Sequence, residues 1–167
     1  LVRRLARRGV RDFELLVQTR PDWFLETRGD FEAFLPDLEG LDARLSLYLV
    51  GFENFSQAEL DRYDKGITVA QNREAIVEMR RLAAERPAFS ATRHRSHGFL
   101  LWNPWTTLDD LAENARVMDE LRFHELKSHA LLTRLRLYPS SPLYHRARAE
   151  GLFAETHGTA ARDSARR

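Results

Sequence analysis

Cysteine is absent from the 167 residues. Disulfides, thiolate nucleophiles, zinc–thiolate sites and cysteine-ligated clusters therefore fall outside what this chain can build. Long apolar runs are absent too. The longest, Leu45 to Phe52, is broken by Ser46 and falls far short of the ~20 residues that a membrane-spanning helix needs. Neither sign of charge dominates, since 26 Lys and Arg face 25 Asp and Glu for a net +1, so no global field draws the chain to nucleic acid or to a membrane. Leu1 to Val10 alternates basic with apolar side chains and leads into no apolar core of a signal peptide. What remains, 43% hydrophobic and 31% charged residues, is the balance of a globular domain rather than of a disordered or membrane chain. The length suits one hydrophobic core, or a piece of a larger one, and a cytoplasmic location is expected.

Apolar periodicity predicts alternating strands and helices. Val2, Leu5 and Val10 fit a short basic helix ending at Gly9, and Phe13 to Gln18 reads as a buried strand. Because the first residues read as the tail of a helix, the chain is expected to be a fragment. Arg20-Pro21-Asp22 breaks the strand, and Phe31, Phe34, Leu35, Leu38 and Leu41 recur at helical spacing from Asp30, a good N-cap, to Gly40. Arg44 to Phe52 is a second strand, nearly continuous in apolar residues, as a strand covered on both faces should be. Ser56-Gln57-Ala58-Glu59 has the capping-box pattern of a short helix. Thr68-Val69-Ala70-Gln71 opens a longer one with Val69, Ile76, Met79 and Ala83 on one side, ending before Pro87. Gly98 to Trp102 gives a third strand, and Thr107-Leu108-Asp109-Asp110 starts a helix striped by Leu108, Leu111, Ala115, Met118 and Leu121. Ser128 to Leu137 gives a fourth strand, interrupted by Arg134 and Arg136, and Pro142 opens a last helix that runs to Glu150 and stops at Gly151. Residues 153–167 read as a disordered basic tail. Parallel strands joined by helical crossovers make an open doubly wound sheet or a barrel, between which periodicity does not choose.

The segment from Leu47 to Thr68 carries the most chemistry. Its run Val-Gly-Phe-Glu-Asn-Phe-Ser-Gln puts a carboxylate, Glu53, and an amide, Asn54, at the C-terminal end of a buried strand. Parallel-strand folds place their ligands there, and both groups need partners. Glu53 as a simple cap of the following helix is the competing reading.

Followed by Leu-Asp-Arg and Lys-Gly-Ile-Thr, this run resembles the fourth-strand segment of radical S-adenosylmethionine (SAM) enzymes, usually written Gly-Ile-Glu-Ser, Ser-Gln, Leu-Asp, Lys-Gly-x-Thr. Gly98-Phe99-Leu100-Leu101-Trp102-Asn103-Pro104-Trp105-Thr106-Thr107-Leu108-Asp109-Asp110, then Glu113-Asn114, is similar to that family's fifth strand and following helix. Leu137-Tyr138-Pro139-Ser140-Ser141-Pro142-Leu143-Tyr144, then Glu150-Gly151-Leu152, resembles its Tyr-Pro-Gly-Thr-Pro-Leu-Tyr and Glu-Gly-Leu segment. The three blocks stand in the family's order and spacing. The pattern departs at Trp102, where many relatives have glycine, and at Ser140-Ser141, which replace Gly-Thr.

The resemblance implies a partial TIM-like (β/α) barrel over residues 1–152, strands three to six of six. It is closest to the branch whose members often carry a cobalamin-binding domain, so cobalamin joins SAM and a [4Fe–4S] cluster among the implied cofactors. The cluster's Cys-x-x-x-Cys-x-x-Cys loop would belong to a missing N-terminal barrel half of the same protein, ahead of Leu1. In the complete enzyme the reduced cluster cleaves SAM to a 5′-deoxyadenosyl radical that abstracts hydrogen from a small-molecule or peptide substrate. Carried over by position, Gln18, Glu53 and Lys65 match places that contact SAM in relatives, Asn54 accompanies Glu53, and Leu100 and Leu137 would meet adenine. For Lys65 a solvated lysine beside Asp61 and Asp64 is the competing reading. Arg20 stands open between a ligand group and a surface ion pair. No residue is assigned a catalytic role and no metal ligand is expected within the chain. A non-catalytic α/β binding module, or a decayed barrel, is the alternative.

The remaining candidates carry less. His94 and His97, three apart, point to opposite faces, and His124-Glu125 with His129 misses zinc-protease spacing by one residue. Trp102 and Trp105 around Asn103-Pro104 suit a barrel seal as well as a stacking surface. Arg3-Arg4, Arg7-Arg8 and Arg162 to Arg167 read as solvated helix face and tail, so neither nucleic acid nor a membrane is an expected partner.

Overall fold

Glu-Leu-Leu-Val-Gln-Thr and Arg-Leu-Ser-Leu-Tyr-Leu-Val-Gly-Phe-Glu form strands β1 (Glu14–Thr19) and β2 (Arg44–Glu53). They pair in parallel from Glu14↔Arg44 to Thr19↔Val50, with a register shift between Val17 and Gln18. β3 (Phe89–Ser90) pairs with the start of β2, and β4 (Gly98–Phe99) pairs with Gly51 and Glu53 at its end, both in parallel. The computed structural model describes residues 2–133 and 135–153. They belong to two compact units, Leu1–Leu135 and Arg136–Arg167. The first is a mixed α/β unit around this small parallel sheet.

Its helices are α1 (Val2–Arg7), α2 (Pro21–Glu39), α3 (Gln57–Arg62), α4 (Val69–Glu85) and α5 (Leu108–Glu120). Strand order follows chain order as β1-β2-β3, and α2 packs on α4 and on β2. With right-handed crossovers, that order sends the helices between consecutive strands to one face. Between the layers lie Phe24, Leu35 and Leu38 of α2, Leu45 and Leu47 of β2, and Ile76, Met79 and Leu82 of α4, all buried in one cluster. Each such side chain contributes about 1.5–3 kcal/mol by leaving water. Across the sheet a polar cluster forms instead. Ser46 donates to Glu14 at 2.5 Å, His94 Nε2 lies 3.2 Å from Glu14, and the Gln18 amide donates to the Tyr48 hydroxyl.

Several elements differ from expectation. α2 begins at Pro21, nine residues before Asp30. Arg20-Pro21-Asp22 is a helix start, with proline at the first turn, where its missing N–H costs nothing, and Asp22 at the positive end of the dipole. β1 is half-exposed rather than buried, with Leu16 53% exposed, because among the described residues it pairs only with β2. The third strand shrinks to Gly98–Phe99, and Phe89–Ser90 adds a strand that two residues after Pro87-Ala88 could not announce. Ser128 to Leu137 forms no strand among the described residues. His129 takes a left-handed φ of 56° and a 3-10 turn follows at Ala130–Leu132, which breaks the extension.

The helix faces also shift. α4 has the full Thr68–Gln71 capping box, but its buried seam is Asn72, Ala75, Ile76, Met79 and Leu82, with Ala83 exposed. α5 buries Asp110, Asn114 and Val117 and leaves Leu108 83% exposed. Ser56 does not cap α3 with its side chain.

In the second unit, α6 (Pro142–Ala149) is capped by Ser141, whose hydroxyl accepts from Tyr144 N. Gly151, at φ 67°, turns the chain so that Leu152 N reaches Ala147 O at 2.9 Å, a left-handed stop that glycine takes without strain. The expected tail, 153–167, lies outside the described residues except for Phe153. No helix among the described residues is long and apolar enough to cross a membrane.

Candidate functional site

Phe52 and Phe55 are fully buried and bracket Glu53 and Asn54. Their rings pack with Phe123 at 5.7 and 4.9 Å between centroids, and Phe55 with Phe99 at 5.1 Å. This aromatic cluster fixes the end of β2, so the two polar residues between the anchors must turn outward or find partners. They do both. Asn54 N donates to Phe52 O at 2.8 Å around a Glu53 φ of 62°, which makes Glu53 the centre of the γ-turn type that is rare and strained. Leu100 N donates to Glu53 O at 2.6 Å.

Asn54 itself is buried and fully occupied. Its amide donates to Leu100 O at 2.7 Å, and its oxygen accepts from Ser56 N and from Asn114 Nδ2, each at 2.8 Å. Asn114 Oδ1 accepts from Phe55 N at 2.9 Å, and Asn72 donates to Phe52 O and Asn54 O at 2.9 and 3.0 Å. The Ser56 hydroxyl donates to Asp110. Burial alone would raise the Asp110 pKa, but hydrogen bonds from Ser56 and Thr107 hold it below the usual value. α4 and α5 are thus pinned to the turn through their polar residues, and α3 through Ser56 just before it.

Glu53 pairs with Lys65, Oε1 to Nζ at 2.8 Å, and both side chains are partly exposed. Beneath them two glycines meet. A Cβ on Gly51 would stand 2.9 Å from Glu53 Oε1, and one on Gly98 would stand 3.2 Å from the Gly51 Cα. Arg20, at the end of β1, donates to Lys65 O at 2.7 Å and grips Asp22 through two bonds of 3.0 Å. The hydrogen bond with Asp22 raises the Arg20 pKa and lowers that of Asp22. The Arg20 guanidinium lies 5.7 Å from the Trp23 ring centre, within cation–π range. Lys127 feels the Glu53 charge as well, yet burial lowers its pKa overall.

The structure therefore brings together Glu53, Lys65 and Arg20 at the carboxyl ends of β1 and β2. Asn54 lies under them as a backbone latch. Gln18 is exposed on β1 with Tyr48 as its partner, and Leu100 contributes backbone to the Glu53 turn. Leu137 belongs to the second unit. Lys127 and the Gly51–Gly98 contact were not foreseen. The Val-Gly-Phe-Glu and His-Gly-Phe runs hold a signal for the glycines, each just before a buried phenylalanine, whereas nothing in the sequence around Lys127 marks it. Among the described residues no three His, Asp or Glu side chains gather as metal ligands would.

Fold and site define an α/β protein whose parallel sheet ends in a charged, glycine-floored mouth. Set against protein-family models, curated proteins and solved structures, the chain matches none of them.

Proposed function

We propose that this chain is the SAM- and substrate-holding part of a radical SAM barrel. The observation that carries the reading is the Glu53–Lys65 pair in a strained turn over Gly51 and Gly98, at the carboxyl end of the central parallel strand. Strained backbone concentrates where a group must be held in a working position. A methionyl zwitterion needs an acid for its ammonium and a base for its carboxylate, and Glu53 and Lys65 supply one of each within a single contact. The two glycines leave room for the Glu53 carboxylate to lie directly against the backbone of the mouth. Sequential strand order with crossover helices on one face is the winding that a barrel segment requires.

In this reading Glu53 receives the ammonium, Lys65 the carboxylate, and Arg20 holds the Lys65 backbone in place. Bound there, SAM would supply hydrogen-abstraction chemistry toward a substrate. The [4Fe–4S] cluster does not fit this chain, which has no thiolate to ligate it, so the proposal gives these residues only SAM and substrate. Titration of SAM, followed by amide chemical shifts, tests it. Shifts centred on Gly51, Glu53, Lys65 and Gly98, lost in Glu53→Ala, are expected. A folded chain whose spectrum ignores millimolar SAM would leave a non-catalytic α/β binding module.

A further inference from the structure

A second cavity, of about 750 Å³, lies between α5 and the segment 123–132. None of Glu53, Lys65 or Arg20 lines it, so a ligand there would not touch the charged mouth directly. Its apolar wall includes Ala115, Met118, Phe123 and Leu132. Ala115 and Met118 belong to the α5 stripe expected to face the core. Because α5 is turned to bury Asp110 and Asn114 instead, Ala115 and Met118 face this cavity while Leu121 stays in the core.

Its polar wall is basic. Arg95 and Lys127 line it with His124 and His129, against one carboxylate, Asp119. Among the described residues neither Arg95 nor Lys127 has a carboxylate oxygen within 4.0 Å, whereas Arg20, Arg62, Arg73, Arg81, Arg86 and Arg116 all have one. The Arg95 guanidinium and the Lys127 backbone are nonetheless held in place. Arg95 takes a left-handed φ of 48°, its carbonyl accepts from Ser128 N at 3.0 Å, and its guanidinium donates to His124 O at 2.5 Å. Ser96 and Lys127 form an antiparallel bridge, and Lys127 N donates to Phe123 O at 3.0 Å. A partly buried lysine and an exposed arginine, neither in an ion pair among the described residues and both beside an apolar wall, are half of a binding arrangement.

We propose that this cavity binds a small molecule carrying an oxyanion, carboxylate or phosphate, on an apolar body. Lys127 and Arg95 hold the oxyanion, and Met118, Phe123 and Leu132 cover the body. The ~750 Å³ is within the size range of small-ligand pockets. Burial already disfavours the charged form of Lys127, so an arriving anion gains a partner that water screens poorly.

The test titrates the 167-residue chain with phenyl phosphate, 3-phenylpropanoate, 3-phenylpropan-1-ol and a phenylalkyl trimethylammonium, read by amide shifts. One or both anions should perturb Lys127, Ser128 and His129 and bind at least about tenfold more tightly than the alcohol or the cation. Preference between the anions names the source as phosphate or carboxylate. Lys127→Gln should weaken the anions about tenfold while Lys127→Arg retains them. Asp119→Asn, on the exposed face of α5, should tighten them. Alcohol or cation binding as well as the anions, no perturbation at millimolar anion, or weaker anion binding by Asp119→Asn overturns the proposal.

Discussion

Glu53 is held in two opposing ways. Its left-handed φ of 62° costs a non-glycine residue about 1–2 kcal/mol. Its ion pair with Lys65 is partly exposed and returns about 0–1 kcal/mol. Glu53→Ala keeps the strain and loses the pair, while Glu53→Gly loses both. Urea denaturation should therefore find Glu53→Gly about 1 kcal/mol more stable than Glu53→Ala, although the proposed function has both weaken SAM binding. Gly51→Ala probes the same spot from below. The new methyl meets the end of a flexible side chain, Glu53 Oε1 at 2.9 Å, so the fold should survive while the carboxylate moves off Lys65.

His97 is a second residue whose neighbours decide its behaviour. Nδ1 accepts from Val50 N at 2.9 Å and Nε2 donates to Ala91 O at 2.6 Å, a neutral imidazole buried against Phe52. Burial lowers its pKa. A folded pKa below the unfolded ~6.5 means that the unfolded chain binds the proton first. The contribution to stability is then complete above pH ~6.5 and shrinks as pH falls from there through the folded value. Melting temperatures should decline between neutral pH and about 5, before the carboxylates whose pKa values are lowered, Glu14, Asp22, Asp110 and Glu113, begin to protonate below ~4.5. A flat profile over that window, or an imidazole that titrates by NMR at its ordinary value, would remove His97 from this role.

At the scale of elements, what the sequence made legible is what repeats. β2 and α4, with its Thr68–Gln71 capping box, were readable because their apolar periodicity and cap chemistry are local. The α5 face was not. Of the stripe Leu108, Leu111, Ala115, Met118 and Leu121 only Leu121 is buried, yet Asp110 and Asn114 are buried, because hydrogen bonds to Ser56, Asn54 and Phe55 N make their burial favourable. Periodicity counts hydrophobicity and is blind to a polar partner 60 residues away. Asn114→Ala should show the size of that effect. It leaves the Phe55 N–H without its acceptor, at about 1–3 kcal/mol for an unsatisfied buried group, while Asn54 Oδ1 keeps its bond from Ser56 N. A chemical denaturation midpoint near wild type would mean that the turn relaxes around the loss.

For the whole molecule, the alternation of strand and helix was visible but its closure was not. Two-residue strands such as Phe89–Ser90 and Gly98–Phe99 carry no period to read, and Ser128 to Leu137, extended by composition, is broken at His129. The charged mouth was readable as Glu53 and Lys65 because both stand in one short segment. Lys127, far along the chain, entered only through the fold. The result is a sheet covered by α2 and α4 on one face, with Glu14, Ser46, Tyr48 and His94 on the other and β1 at the edge. Among the described residues β1 pairs only with β2, and Leu16 in its middle is 53% exposed. An extended edge with an exposed leucine offers unpaired backbone groups to another strand, and a lysine placed there opposes such pairing by charge and desolvation. Sedimentation velocity of the 167-residue chain should show association that grows with concentration, and Leu16→Lys should shift it toward monomer. Because Leu16 is already more than half in water, that substitution should change the unfolding free energy by no more than about 0.5 kcal/mol. Association that persists unchanged in Leu16→Lys would place the contact elsewhere, with the exposed α5 stripe at Leu108 the next surface to substitute.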